Sequence, residues 1–208
     1  MDQKSQVVLN TERLCLRTPS AFYAEIFLDF MTRNKEFFRP WTPAWSEDYF
    51  TVEKQRQLLK KNYNGFESEK EIRFFIFLKS NSDRIIDDIG FRNIVKGPFL
   101  SCHMGYKMDQ KETRKGYMQE ALREALRYVF DTVQLHRIEA NIIPGNKPSI
   151  RLIEKLGFHN EGLSKKYLRI NGKWEDHFHF VLLNDAVEQR VKYSGNFPIH
   201  CKVGDHEI

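Results

Sequence analysis

The run GYKMDQKETRKGYMQEAL, residues 105–122, decides the fold. Its opening closes a β-rich run, Phe99 to Met108 (FLSCHMGYKM), and its end enters an amphipathic helix. Over Lys115 to Val133, the residues Met118, Ala121, Leu122, Ala125, Val129 and Val133 recur at three- and four-residue spacing, which predicts one buried helical stripe. Between strand and helix lies Arg114-Lys115-Gly116-Tyr117-Met118-Gln119. Successive N–H groups at a helix start, with a glycine for close approach and two cations beside it, make a cradle suited to a pyrophosphate. A basic loop entering an ordinary helix is the plainer reading of the same residues. A short β run, Arg137 to Ile143 (RIEANII), follows. Strand, helix and strand at this length imply a right-handed crossover between parallel strands.

Upstream, Ile72–Lys79, Ile85–Val95 and Phe99–Met108 are β-rich runs broken by turn residues, which predicts a three-stranded antiparallel meander. Further back, Glu12–Thr18 has strand period, and Pro19-Ser20 opens a helical segment. The aromatic loop Phe37–Trp45 holds two prolines, and Ser46 is placed to cap a second helix running to about Tyr63. Downstream, Asn146 can cap a helix whose stripe is Ile150, Ile153 and Leu156, with Gly157 to end it. Leu163–Ile170 and Trp174–Leu183 read as strands joined by Asn171-Gly172, a strong hairpin signal. Asn184–Tyr193 reads as a short polar helix. The organisation expected is a lead-in over 1–11, one domain over 12–193 and a weakly ordered tail over 194–208.

Composition sets the outer limits. The 208 residues are 41% apolar, 13% aromatic and 29% charged, enough apolar surface to exclude disorder for most of the chain. Thirty-three basic against 28 acidic residues give +5, which suits an anionic ligand without naming one. Cys15, Cys102 and Cys201 are too few and too scattered for a disulfide framework or a Cys-x-x-Cys zinc site, so a reducing cytoplasm and no metal are expected. No uncharged apolar run approaches the roughly 18 residues of a membrane span.

The cradle is followed by Asn146-Lys147-Pro148-Ser149, then Lys155-Leu156-Gly157-Phe158 and Glu161-Gly162. This order resembles the GNAT acetyltransferase superfamily, whose signature joins a Gln/Arg-x-x-Gly-x-Gly/Ala loop to an Asn-x-x-Ser/Ala helix and a Leu-Gly-Phe end. The runs HRIEANIIPGNKPS and KLGFHNEGLSKKYLRINGKWEDH, with ERLCLR and FFRPW, are similar to the RimJ/RimL branch of ribosomal-protein N-terminal acetyltransferases, over about residues 12–185. Thr113 departs from the Gln or Arg of the signature, and Met118 from its Gly or Ala; neither removes a backbone donor.

The resemblance implies a GNAT α/β fold: a mixed, twisted sheet of about seven strands, flanking helices, and a splay between the two central parallel strands. It implies acetyl-CoA as co-substrate, its pantetheine arm pairing with Tyr106, Lys107 and Met108 and its pyrophosphate on Arg114, Lys115, Gly116, Tyr117, Met118 and Gln119. Asn146 and Ser149 then meet the pantetheine end, Ser149 protonating the departing thiolate, although both residue types also suit a helix start. Met108 N–H would serve the oxyanion. Asn141 and Leu168 stand where related enzymes carry a catalytic Glu. The base is therefore open between His103 and Glu139, acting directly or through water, each with a structural alternative. Tyr167 can close the site or donate a proton, while Trp41, Asn141 and Tyr167 are expected against the acceptor. Glu161 and His177 read as structural.

An α-amine, with a pKa of about 7.7 to 8.0, asks less of a base than a lysine near 10.4. The expected reaction is acetylation of the N-terminal Ala or Ser of a protein, such as a ribosomal protein. The alternatives are a small amine (an aminoglycoside or polyamine) and a non-catalytic acetyl-CoA- or ribosome-binding module. A monomer or homodimer is expected, without membrane attachment or sequence-specific nucleic-acid binding.

Overall fold

The structure, a computed structural model, describes residues 6–186. The strands are β1 (Val8–Asn10), β2 (Leu14–Arg17), β3 (Ile72–Leu78), β4 (Asn81–Val95), β5 (Ser101–Met108), β6 (Arg137–Ile142), β7 (His159–Ile170) and β8 (Lys173–Leu183). They form one open sheet in the order β1-β2-β3-β4-β5-β6-β8-β7. The helices are α1 (Ala24–Arg33), α2 (Lys35–Phe38), α3 (Val52–Glu67), α4 (Tyr117–Asp131) and α5 (Lys147–Lys155). β3, β4 and β5 are the expected meander, and α4 crosses between β5 and β6, the parallel pair.

The sheet is packed on both faces. On one, Phe74 and Ile76 of β3 join Met118, Leu122 and Val129 of α4 and Ile153 of α5. On the other, Phe75 and Phe77 join Phe27 and Phe30 of α1 and Leu59 of α3, Phe27 stacking on Phe75 at 4.7 Å. Burial on both faces is why IRFFIFL is nearly continuous in apolar residues rather than alternating. Each such side chain contributes about 1.5–3 kcal/mol by leaving water. Beneath Phe27 and Phe75 runs a buried ion pair in which Arg73 donates to both Asp88 oxygens, at 2.6 and 2.8 Å.

Local chemistry fixes the ends of the elements. Gly157 takes φ +90°; its N–H donates to Glu154 O and that of Phe158 to Ile153 O, both at 3.0 Å, while Phe158 seals the turn from the core. Asn171 and Gly172 both have positive φ, the two-residue turn whose twist matches the strands it joins.

Three features differ from the sequence reading. There are eight strands rather than about seven, because Val8–Asn10, inside the supposed lead-in, pairs with β2; three residues at an edge are too short to show a period. Thr51, not Ser46, caps α3, its hydroxyl accepting from Lys54 N–H at 3.2 Å; Ser46 precedes a separate 3-10 turn, Glu47–Phe50. β4 starts at Asn81 and β7 at His159, so polar residues that resemble turns extend both strands. The helix read over Asn184–Tyr193 leaves the described residues after Ala186, and the tail over 194–208 lies outside them. Among the described residues no helix is long and apolar enough to cross a membrane.

Candidate active site

The loop between β5 and α4 is held from below. Asp109, 1% exposed, accepts from Arg33 Nε at 2.7 Å and Arg84 Nη2 at 2.6 Å, while Arg84 also reaches Glu112. Burial would raise the Asp109 carboxyl, but these cations bring it below its usual range. Arg114 and Gly116 take φ +64° and +83°, and Glu120 N–H is bonded to Gly116 O at 3.1 Å. Ahead of it, the N–H groups of Arg114 through Gln119 make no bond to a described residue. A helix start with this many unused donors, entered through left-handed turns, has the geometry of an anion cradle.

Its charges are distributed differently from the sequence reading. Lys115 Nζ is bound to Glu112 at 2.8 Å, and the Thr113 hydroxyl turns back to Gln110 O. Met118 sends its side chain into the core, leaving only its N–H to the loop. A cation that the sequence did not suggest stands beside the loop. Arg13 of the β1–β2 turn donates to Lys115 O at 3.1 Å, pairs with Glu120 at 2.7 Å and lies 4.5 Å over the Tyr117 ring. Its partners are about a hundred residues away in sequence, and nothing local marks it.

β5 and β6 pair only over Ser101–His103 and Arg137–Glu139, then separate. Asp109 N–H points to β4, where it meets Ile86 O. By strand alternation the N–H groups of Tyr106 and Met108 point the other way, into the gap. Tyr106 spans that gap on the α5 side, its hydroxyl donating to Ser149 O at 3.4 Å, and burial pushes the phenol up. Asn146 caps α5, accepting from Ser149 N–H at 3.3 Å, while the Ser149 hydroxyl has no described partner. The Trp41 ring lies over Gly145, about 4.0 Å from where a Cβ would stand, so the aromatic segment reaches this end of the gap.

On the opposite face of the sheet, His103, Glu139, Asn141 and His179 come together by register: His103 lies opposite Glu139, and Asn141 opposite His179. Asn141 Nδ2 donates to Tyr167 Oη at 3.2 Å, and the Tyr167 ring meets His179 edge-on at 4.7 Å. His103 Nδ1, Asn141 Oδ1 and His179 Nε2 are buried without a hydrogen-bond partner. Such atoms are costly, and three in one patch make this face a candidate site. The carboxylates are occupied instead. Glu139 accepts from Arg137 at 2.9 Å and lies 3.7 Å from His103, and Arg137 also binds Glu161 through both oxygens. The Arg137 contact holds Glu161 below its usual range.

The GNAT acetyltransferase domain model matches residues 13–159. The chain belongs to the GNAT acetyltransferase family. It is 39% identical over 166 residues to Probable N-acetyltransferase YjcK of Bacillus subtilis, covering 80% of this chain and 91% of that protein. It is 37% identical over 172 residues to the [ribosomal protein uS5]-alanine N-acetyltransferase of Escherichia coli, covering 83% and 88%. The solved structure of Mycobacterium smegmatis RimJ in complex with CoA-disulfide superposes with a TM-score of 0.80 at 24% identity, over 93% of this chain and 95% of that one. The mixed sheet with its single parallel pair is the GNAT fold, and the protein is a GNAT N-acetyltransferase.

In this GNAT enzyme the expected site residues fall into two groups on opposite faces of the sheet. Tyr106, Met108, Asn146 and Ser149 line the gap on the α5 side, next to the cradle; His103, Glu139, Asn141 and Tyr167 lie on the other face. Lys107 belongs to that second face by its side chain. His177, 3% exposed, bonds through Nδ1 to Glu175 O, and burial lowers its pKa, which is a structural setting. His179 is a second residue, after Arg13, that sequence reading missed. Its signal was period two from His177, which places both on the Asn141 face. Among the described residues no cluster of His, Cys, Asp or Glu could hold a metal ion.

Proposed function

We propose that the enzyme transfers the acetyl group of acetyl-CoA to the N-terminal α-amine of a protein beginning with Ala or Ser, a ribosomal protein first among them. One observation carries this reading: the acceptor face leaves His103 Nδ1, Asn141 Oδ1 and His179 Nε2 without partners, while Glu139, Glu161 and Asp88 are all held by arginines. A face whose carboxylates are already engaged suits an α-amine better than a lysine ammonium, which asks for a stronger base. The uS5-alanine specificity of the Escherichia coli relative agrees. A polycationic acceptor such as a polyamine is disfavoured, because Arg73, Lys107 and Arg92 outnumber Asp88 on this face.

Acetyl-CoA supplies an acetyl group held as a thioester. The cradle from Arg114 to Gln119 would hold its pyrophosphate through backbone N–H groups, with Arg114 and Arg13 adding charge. Tyr106 and Met108 would pair with the pantetheine arm, and Met108 N–H would meet the charge that develops on the carbonyl oxygen. Asn141 and His179 would orient the amine, and His103 would take its proton, with Glu139 steadying the imidazole at 3.7 Å. The Ser149 hydroxyl would give a proton to the departing thiolate. Trp41 and Tyr167 would wall the acceptor. The domain in this proposal runs over residues 12–193.

Following free thiol while the enzyme meets acetyl-CoA and a panel of amines tests the reading. Turnover is expected with Ala- and Ser-headed peptides. Faster turnover of spermidine or an aminoglycoside, or none with any α-amine peptide, overturns it.

A further inference from the structure

Between the acceptor patch and α1 the same sheet face carries Arg73, Asp88, Arg92 and Lys107. Asp88 lies opposite Lys107, Gly90 opposite both Gly105 and Arg73, and Arg92 opposite His103. Asp88 carries one charge for three cations, since both its oxygens accept from Arg73 while Lys107 and Arg92 also feel its field. Arg73 is committed elsewhere too, to Asn62 at 2.6 Å and to the faces of Phe27 and Phe75. That leaves Lys107, half-buried, and Arg92, exposed, with no hydrogen bond or ion pair to a described residue.

The floor between them has no side chains. A Cβ on Gly105 would meet nothing within 4 Å, and the nearest atoms to one on Gly90 would be the Arg92 guanidinium, at 3.6 Å from Nε and 3.9 Å from Nη2. Arg92 is therefore folded back over Gly90, alongside the open space above Gly105. The result is a trough floored by two glycines, with Lys107 at one end, Arg92 along its side and His103 at the other end. Burial and the nearby Arg92 and Arg73 push the Lys107 ammonium down to about 8, despite the pull of Asp88. An anion in the trough would relieve that strain.

We propose that Lys107 and Arg92 form a subsite for a carboxylate side chain at the second or third residue of the acceptor polypeptide. The position follows from spacing, and rests on the α-amine reading above. Gly105 is two residues along β5 from His103, roughly 7 Å at strand rise, the reach of an extended chain from its first residue to its third. A carboxylate there would receive charge-assisted hydrogen bonds from both cations.

The test is calorimetry on the full chain with CoA present, using Ala-headed peptides that differ only in Glu against Gln at positions two and three, alongside turnover of the same peptides. Acidic peptides are expected to bind about tenfold more tightly, a preference that Arg92→Gln or Lys107→Gln removes and Arg92→Glu turns toward Lys-bearing peptides. Arg92→Gln should leave turnover of the neutral peptide unchanged. Equal binding of acidic and neutral peptides, no binding of either, or a preference that survives both substitutions overturns the subsite. Acid-selective binding without turnover supports the subsite and refutes the α-amine reaction instead.

Discussion

The cradle and the acceptor face are built on opposite principles. Around the cradle nearly every charged side chain already has a protein partner: Asp109 with Arg33 and Arg84, Lys115 with Glu112, Arg13 with Glu120. What remains for a ligand is backbone, the N–H groups from Arg114 to Gln119. Across the sheet the polarity is unspent. His103, Asn141 and His179 each keep an unpaired buried atom, and Lys107 and Arg92 share the single charge of Asp88 with Arg73. A backbone cradle fits one invariant ligand and needs no particular side chain, whereas acceptor identity is carried by side chains. In the proposed reaction the choice of substrate would belong to the acceptor face.

The largest effect expected is on the floor of that face. Asp88→Asn strands Arg73 as a buried, uncompensated cation and should cost about 3 kcal/mol or more, measured by denaturant unfolding. Burial would raise the Asp88 carboxyl, but Arg73 lowers it below its usual value. Its contribution is thus complete above the unfolded pKa of about 3.9 and is lost as pH falls through the folded value. A loss that does not begin to shrink as pH falls below about 3.9 would contradict this account of the pair.

Ser149→Ala should lower kcat about 10- to 100-fold while leaving acetyl-CoA affinity within about twofold, which separates proton donation from binding. An equal loss in both would reduce Ser149 to its place in the helix start. Gly116→Ala strikes the cradle. At φ +83° a Cβ costs about 1–2 kcal/mol and would stand 3.4 Å from Arg13, so a KM for acetyl-CoA raised about tenfold is expected, with kcat preserved at saturation. The smallest effect is one of shape: His103→Gln should remove the acidic limb of the kcat/KM profile. An unchanged limb in that variant, followed by its loss in His179→Gln, would move the base role to His179.

The same contrast explains what the sequence reveals. The cradle was legible because its elements are contiguous: a strand, a glycine, a helix stripe from Met118 to Val129, all within local spacing. Gly157 and Asn171-Gly172 were legible for the same reason, since turn chemistry is local. The acceptor face is assembled from β4, β5, β6, β7 and β8, and its meaning depends on register. Glu139 resembles a base until Arg137 is seen to hold it. His179 resembles any strand residue until it lies opposite Asn141. Lys107 was read for its backbone, and only the Gly90–Gly105 pair shows that its side chain overlooks a trough. Arg13 became visible through contacts that span the chain.

The most direct test of the central claim uses one peptide with a free N-terminal alanine and a single internal lysine, incubated with enzyme and acetyl-CoA and then sequenced by fragmentation mass spectrometry. The account predicts acetyl on the α-nitrogen alone, with no product when that nitrogen is blocked beforehand. Acetylation of the lysine in the blocked peptide, at a rate matching the free one, would contradict it.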